Sequence, residues 1–380
     1  MLTAYVLHLF NIAGGGERVS LEIARALRNA GIEVVYVTNS ASVMKKIAER
    51  LGLPGDYQVI EADSLLEKIL GYTGRFVRYR RLLLLEKATS KLWSIKEDNR
   101  ILIDTGLNVP VDVDISYIHY PIMLSTSPSS SIHWGLYNWL VEHRAKKILG
   151  RPKVVLTNSK WTAKLTKETY GIDAEVLYPP VDVEYFAYDG RQKEKIIVTI
   201  SRYTPEKNLE LLPSVAAKVP DYDWYLVGST GERSYELDIS NRVAEKVKEE
   251  IKRCGARNFH MLINAQSNVL RELLQRATFY VHPQFAEHFG IAVVEAMSAG
   301  CIPLVYRDGG AWTDIVSPIS AELGYSNLGE VPKLVRDLEA KEDKTRRLKR
   351  LAVERSREFS AGVFRERFID LLRKHGLIKS

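Results

Sequence analysis

Two cysteines in 380 residues, Cys254 and Cys301, are too few and too far apart for a disulfide framework or a zinc-ligand spacing. Their scarcity favours a reducing compartment. The chain also lacks a long hydrophobic run. The apolar stretch within MLTAYVLHLFNIAGGG is about eight residues long and has no basic segment ahead of it, so it reads as a buried first strand, not as a membrane span or signal peptide. No internal repeat or low-complexity segment is present. No aromatic-basic strand motif or recognition helix points to nucleic acid. Acidic residues are scarce in one place: residues 68–91 hold seven basic side chains against a single acid, Glu86.

What is present is an ordinary soluble composition, 46% hydrophobic and 27% charged, with a net charge of +7. That balance favours anionic partners. In 68–91 the arginines Arg75, Arg78, Arg80 and Arg81 alternate with Phe76 and Tyr79 ahead of four leucines. Two readings stand for this stretch: a solvated basic face of an amphipathic helix, or a surface that rests on anionic lipid headgroups.

Short β-rich runs alternate with helical runs twice over. The first series is 4–10, 33–38, 100–105, 115–120 and 153–158; the second is 195–201, 223–228, 258–263, 277–283 and 301–306. Near-continuous apolar strands separated by helices predict α/β architecture, with parallel sheets covered on both faces. Two Rossmann-like doubly wound domains are expected, 1–182 and 183–361, facing across a cleft with ligands at the carboxyl ends of the strands. The boundary falls in the Pro179–Pro180 region, and a last helix within 362–380 is expected to pack back on the first domain.

Four stretches carry candidate chemistry. In SRYTPEKN (201–208) a strand ends near Arg202 and a helix is expected to open with Thr204 as N-cap and Pro205 at its first position. Lys207 in that first turn opposes the helix dipole, and two cations at a helix start suit a diphosphate. In HPQFAEHFGIAVVEAMSAG (282–300), Glu287 and Glu295 stand eight positions apart. Glu295 lies among Val293, Val294, Ala296 and Met297, where a carboxylate stripped of water needs partners. Sugar hydroxyls can supply them. NIAGGGERV (11–19) places Gly14, Gly15 and Gly16 between strand and helix; it departs from G-x-G-x-x-G and is weak as a dinucleotide fingerprint. YIHYP (117–121) sets His119 at a strand end. The aspartates of DVD (112–114) and DYD (221–223) read as structural, and no metal site is expected.

Together these stretches resemble the retaining nucleotide-sugar transferases of glycosyltransferase family 4, which have the two-domain GT-B fold. EHFGIAVVE and SRYTPEKN carry the likeness. The order of AGGGERV, IDT, YIHYP, TNSKWT, LYPPVDV, PEKN, EHFGIAVVEAMSAG and the glycine pair at 309–310 is similar to that of the α-1,2-mannosyltransferases of asparagine-linked glycosylation. The resemblance covers most of residues 4–316. It implies a nucleotide-sugar donor, GDP-mannose, and a lipid-linked glycan acceptor at the cytosolic face of a membrane, with no cofactor or metal. The chain is then expected in the cytoplasm and peripheral on an anionic membrane surface, without nucleic acid as a partner. It implies that Arg202 and Lys207 hold the donor diphosphate, Glu295 the ribose and Glu287 the transferred sugar. Backbone groups of His288, Phe289, Gly290 and Ile291 reach the sugar and phosphates, Gly14 to Gly16 line the donor–acceptor junction, and His119 bonds the sugar near the reacting centre. Same-face attack, with the leaving diphosphate taking the acceptor proton, needs no protein nucleophile. Transfer of glucose or N-acetylglucosamine from a UDP-sugar in surface-glycan synthesis stays open as the alternative. The short N-terminal run and the three-glycine loop depart from the eukaryotic pattern and suit a prokaryotic, archaeal pathway.

Overall fold

The structure is a computed structural model that describes residues 2–62, 77–125, 132–230 and 234–379. The chain divides into two compact units, Met1–Pro180 with Ala361–Ser380, and Val181–Ser360. In the first unit β1 (Thr3–Leu7), β2 (Glu33–Thr38), β3 (Gln58–Glu61), β4 (Arg100–Asp104), β5 (Ile115–Ile118), β6 (Val154–Thr157) and β7 (Glu175–Val176) form one parallel sheet, ordered β3-β2-β1-β4-β5-β6-β7. In the second, β8 (Glu194–Arg202), β9 (Asp223–Ser229), β10 (Phe259–Ile263), β11 (Ala277–His282), β12 (Ile302–Tyr306) and β13 (Gly324–Tyr325) are again all parallel, ordered β10-β9-β8-β11-β12-β13.

Side-chain alternation explains why these strands show no polar face. On β1, Ala4 and Val6 enter one buried cluster while Tyr5 and Leu7 enter another on the opposite face. Both faces are dry, so the whole strand is apolar. The strand order reverses between β1 and β4 in the first unit and between β8 and β11 in the second. These switch points are where crossover helices leave in opposite directions and open a crevice beyond the strand ends.

The C-terminal helix Ala361–Lys374 belongs to the first unit. Phe364, Phe368 and Leu372, four residues apart, lie on one helical face and join the core beside the helix Gly15–Asn29. Arg365 Nη1 lies 2.7 Å from Glu22 Oε2, and the Glu22 side chain is only 2% exposed. Truncating one partner of such a pair leaves a buried charge whose remaining ion-pair partner among the described residues is Arg25, half-exposed at 3.3 Å. Arg365→Ala is expected to cost about 3 kcal/mol of stability, read as a drop in urea midpoint. A shift near zero would mean that the helix docks through its apolar face alone.

Among the described residues no helix is long and apolar enough to cross a membrane. The helix Val77–Ser94 begins close to where the basic stretch predicts one, and Arg78, Arg80 and Arg81 lie in its first two turns. Arg75 lies outside the described residues.

Candidate active site

Each unit gathers a cluster of polar side chains at its switch point. In the first unit β1 runs into His8 and β4 into Thr105, and the Gly15–Asn29 helix opens beside them. His8 is 3% exposed. Its Nδ1 lies 3.1 Å from the Thr105 carbonyl oxygen and 3.0 Å from Thr105 Oγ1, while Nε2 lies 4.0 Å from Glu17 Oε1. His119, just beyond β5, places Nε2 3.0 Å from the same carbonyl. Its main chain is pinned by Asn108 Oδ1, which accepts from His119 N at 2.8 Å, and by Asn158, which donates to His119 O at 2.9 Å. The glycine loop and His119 come together: a Cβ on Gly16 would lie 3.5 Å from His119 Nε2. A Cβ on Gly14 would come within 3.0 Å of Glu17 Oε2. His8 and Glu17 went unremarked in the sequence, although a histidine inside an otherwise apolar first strand was the available signal.

The backbone that carries Thr105 is held from below by Asp104, which is fully buried. Its Oδ1 accepts from Gly106 N and Leu107 N at 3.0 and 3.1 Å, and its Oδ2 from Ser116 Oγ at 3.2 Å. Burial pushes the Asp104 carboxyl up to about 7, with those three donors pulling the other way. A folded-state value above the unfolded one, about 3.9, means that the folded chain holds the proton more tightly. This group therefore favours folding most below about pH 4, and its contribution is lost as pH rises through about 7. Asp104→Asn keeps the acceptor and is expected to flatten the fall in stability across that window, measured by urea unfolding from pH 4 to 8. An unchanged slope would assign the dependence to other groups.

The second unit holds the other candidate residues. Arg202 ends β8, exposed and with no side-chain ion pair among the described residues. Sequence patterning predicts a helix from Thr204; the structure has a three-residue 3-10 turn, Pro205–Lys207, closed by Asn208 at φ +51°. A second 3-10 turn, Leu209–Leu211, precedes the short helix Leu212–Ala216. Thr204 does not cap the turn; its hydroxyl donates to Glu206 Oε1 at 2.7 Å. Two prolines, Pro205 and Pro213, and the left-handed Asn208 break the segment into pieces. No long helix dipole points at the site from here, and the charge comes from the side chains themselves.

Lys207 is not a surface residue paired with Glu206 or Glu210. Its Nζ lies 3.3 Å from Glu287 Oε2, with the two side chains 15% and 16% exposed. The same oxygen lies 3.0 Å from His282 Nε2, and Oε1 accepts from His288 N at 3.1 Å. Burial pushes the Glu287 carboxyl up, but the hydrogen bond from His282 and the charges of Lys207, His282 and His288 outweigh it and leave it well below the usual range. His288 is itself lowered, by burial first and by Lys207, with Glu287 opposing.

The Glu287 backbone is fixed as firmly. It forms a parallel bridge with Gly309, and its carbonyl accepts from Gly310 N at 2.7 Å. Gly309 sits at φ +88°, and a Cβ there would lie 2.4 Å from Glu287 O. Ala286 is held at φ +49°, a conformation that costs a non-glycine residue about 1 kcal/mol. Gly290, at φ +102°, precedes the helix Ile291–Ser298. Phe289 turns into the core against Phe359, rings 5.5 Å apart, so its side chain is committed to packing. Glu295, in that helix's second turn, is half-buried. Burial, then the charges of Glu287 and Glu295, raise the Tyr280 phenol well above its usual range. The predicted residues thus fall into two groups: Gly14, Gly15, Gly16 and His119 in the first unit, and Arg202, Lys207, Glu287, His288, Phe289, Gly290, Ile291 and Glu295 in the second. Among the described residues no group of three or more His, Cys, Asp or Glu side chains is arranged to hold a metal ion.

Comparison with known proteins bears on what such a site does. The human protein named GDP-Man:Man(3)GlcNAc(2)-PP-Dol alpha-1,2-mannosyltransferase is 26% identical over 385 residues, covering 85% of this chain and 76% of that one. The human Alpha-1,3/1,6-mannosyltransferase ALG2 is 26% identical over 331 residues, 78% of this chain and 77% of that one. Among solved structures, sucrose-phosphate synthase from Thermosynechococcus elongatus superposes with a TM-score of 0.71 at 16% identity, covering 98% of this chain and 99% of that one. Anabaena Alr3699/HepE in complex with UDP-glucose gives 0.68 at 16% identity, covering 98% and 100%. Identities this low establish the fold alone, two Rossmann-like units of the GT-B type. The family model described as Glycosyltransferase Family 4 matches residues 13–185, and that described as Glycosyl transferases group 1 matches 184–348. The two spans meet within a few residues of the change of unit at Pro180 and take in both clusters, and the chain belongs to glycosyltransferase family 4.

Proposed function

We propose that this glycosyltransferase moves mannose from GDP-mannose onto a lipid-linked oligosaccharide, with retention of configuration, in the assembly of N-linked glycans. The observation that carries the reading is the Lys207–Glu287 contact at 3.3 Å. One ammonium and one carboxylate, both largely withdrawn from water, offer adjacent partners for a phosphate charge and for ring hydroxyls. The names of the relatives support mannose, GDP and the lipid-linked acceptor.

In this reading the second unit is the donor domain. Arg202 and Lys207 bind the diphosphate, Glu287 accepts from hydroxyls of the transferred sugar, and Glu295 accepts from the ribose diol. Backbone N–H groups from His288 to Ile291 complete the phosphate and sugar contacts. The first unit carries the acceptor side, with His119 and Gly14 to Gly16 next to the reacting carbon. The bond from the anomeric carbon to the diphosphate oxygen breaks, and the acceptor oxygen bonds to the same face. The acceptor's proton passes to the departing diphosphate. Charge develops on that phosphate, and the two cations meet it there. Arg75, Arg78, Arg80 and Arg81 rest on anionic headgroups at the cytosolic face, which brings the lipid acceptor within reach.

The test is incubation with radiolabelled GDP-mannose, UDP-glucose or UDP-N-acetylglucosamine and a total lipid extract containing anionic lipid. Label from GDP-mannose alone should enter the lipid-linked fraction, and the one-bond C1–H1 coupling of the product should show the same anomer as the donor. Label from a UDP-sugar instead would replace the donor, and an inverted product would remove the same-face mechanism. No labelled product from any donor would overturn the reading.

A further inference from the structure

His282 joins Glu287 to the sheet. It is the last residue of β11, 5% exposed, at the switch point of the second unit. Its Nε2 lies 3.0 Å from Glu287 Oε2, and its Nδ1 lies 3.0 Å from the Tyr280 hydroxyl. With Glu287 ionised, Nε2 carries a hydrogen and donates it, while Nδ1 and the Tyr280 hydroxyl share a second hydrogen bond. The two rings stack, centroids 6.1 Å apart at 29°. The main chain is held as well, since the Tyr325 hydroxyl, from β13, donates to the His282 carbonyl. Tyr280 on the same strand therefore holds the imidazole, and Tyr325 on β13 holds the main chain, before any ligand arrives.

The division of contacts on Glu287 gives this a consequence. Among the described residues, Oε2 takes both side-chain donors, His282 and Lys207, whereas Oε1 takes the His288 N–H. A carboxylate oxygen accepts two hydrogen bonds comfortably, so Oε1 keeps capacity for one more donor. Lys207 cannot set this orientation alone, because it stands on a broken 3-10 segment and has a long flexible stem. In the proposed reaction its charge also turns toward the diphosphate.

We infer that His282 is a positioning residue: held by Tyr280 and Tyr325, it orients Glu287 so that Oε1 faces the hydroxyls of the transferred sugar. The inference rests on the reading of the site as a sugar-nucleotide transferase. It does not touch the substrate itself. Its value lies in geometry, since a displacement of about 1 Å in a group that aligns the reacting sugar can cost about 10²-fold in rate.

Two measurements test it. The first compares turnover of GDP-mannose by wild type, His282→Gln and His282→Leu. Leucine should lower kcat by about 10²-fold with donor KM changed far less, and glutamine, whose amide can still donate to Glu287, should recover most of the loss. Equal losses for both variants, or a loss confined to KM, would overturn the inference. The second needs no substrate: a stability cycle crossing His282→Leu with Glu287→Ala by urea unfolding. The leucine change should lower the folding constant of wild type at least about fivefold more than that of the Glu287→Ala chain. Equal losses in the two backgrounds would show that His282 only packs, and would overturn the inference whatever the enzyme transfers. A wild-type chain without turnover but with strong coupling would instead overturn the transferase reading while leaving the His282–Glu287 coupling intact.

Discussion

Lys207→Ala lowers turnover by about 10²–10³-fold, the loss expected when a fixed positive group is removed from a developing phosphate charge. The lysine is not a bystander in the fold. Its ammonium lies 3.3 Å from Glu287 in a site where both side chains are about 15% exposed, so the variant also loses about 1–2 kcal/mol of stability. His282 still holds the carboxylate, which keeps the cost below that of a wholly orphaned charge. The pH dependence has a definite sign. The Glu287 carboxyl lies well below its usual range, so its contribution to stability is present above about pH 4.3 and is lost as pH falls through the folded value. Without Lys207 the folded value rises, and acid unfolding begins at a higher pH. Steady-state kinetics at pH 7 and urea unfolding between pH 3 and 7 check both halves. Near-normal turnover in a folded variant would remove Lys207 from the diphosphate site.

Gly309→Ala is the second large effect, and it acts through backbone. The residue sits at φ +88°, and its new Cβ would meet Glu287 O at 2.4 Å, Glu287 N at 2.6 Å and Ala286 C at 2.7 Å. No side-chain rotamer relieves contacts made entirely with backbone, so the Ala286–Glu287 segment must shift. Ala286 already occupies a left-handed conformation at φ +49°. The expected result is a turnover loss of about 10²-fold from misplacing the carboxylate. A stability loss of about 3 kcal/mol accompanies it, from left-handed strain and the broken bridge. Gly310→Ala is the control: its φ of −66° suits any residue, and its N–H still reaches the Glu287 carbonyl. Similar turnover in the two variants would mean that the bridge does not place Glu287.

The sequence was most legible where one physical rule acted without competition. Strands buried on both faces show as apolar runs, and helical runs lie between them, as at Gly15–Asn29 and Val77–Ser94. The edge strands β3, β7 and β13 escaped it. They hold four, two and two residues, too few for any periodicity to emerge. The segment after β8 departs from the expected helix because its Thr-Pro pair looks like a helix start, while Asn208 turns left-handed and ends the turn within three residues.

The candidate site was legible as residue types and not as partners. Glu287 and Lys207 stand 80 positions apart, and no local rule links them; parallel pairing of β8 with β11 brings their loops to one sheet end. His282 and Tyr280 carry no motif of their own, since alternate residues on a buried strand ordinarily serve the core. His8 and Glu17 are hidden in the same way, one just past the end of β1 and one in the first turn of a helix. Placement of such groups follows from topology, which a single sequence specifies only through the whole fold.

The proposed pairing of diphosphate with Lys207 and of sugar with Glu287 is tested most directly by calorimetric titration of GDP and GDP-mannose into three proteins: wild type, Lys207→Ala and Glu287→Ala. The account predicts that Lys207→Ala weakens both ligands about tenfold or more, whereas Glu287→Ala weakens GDP-mannose and leaves GDP nearly unchanged. Affinities for both ligands that survive Lys207→Ala, or a Glu287→Ala variant that binds GDP-mannose as tightly as wild type, would contradict it.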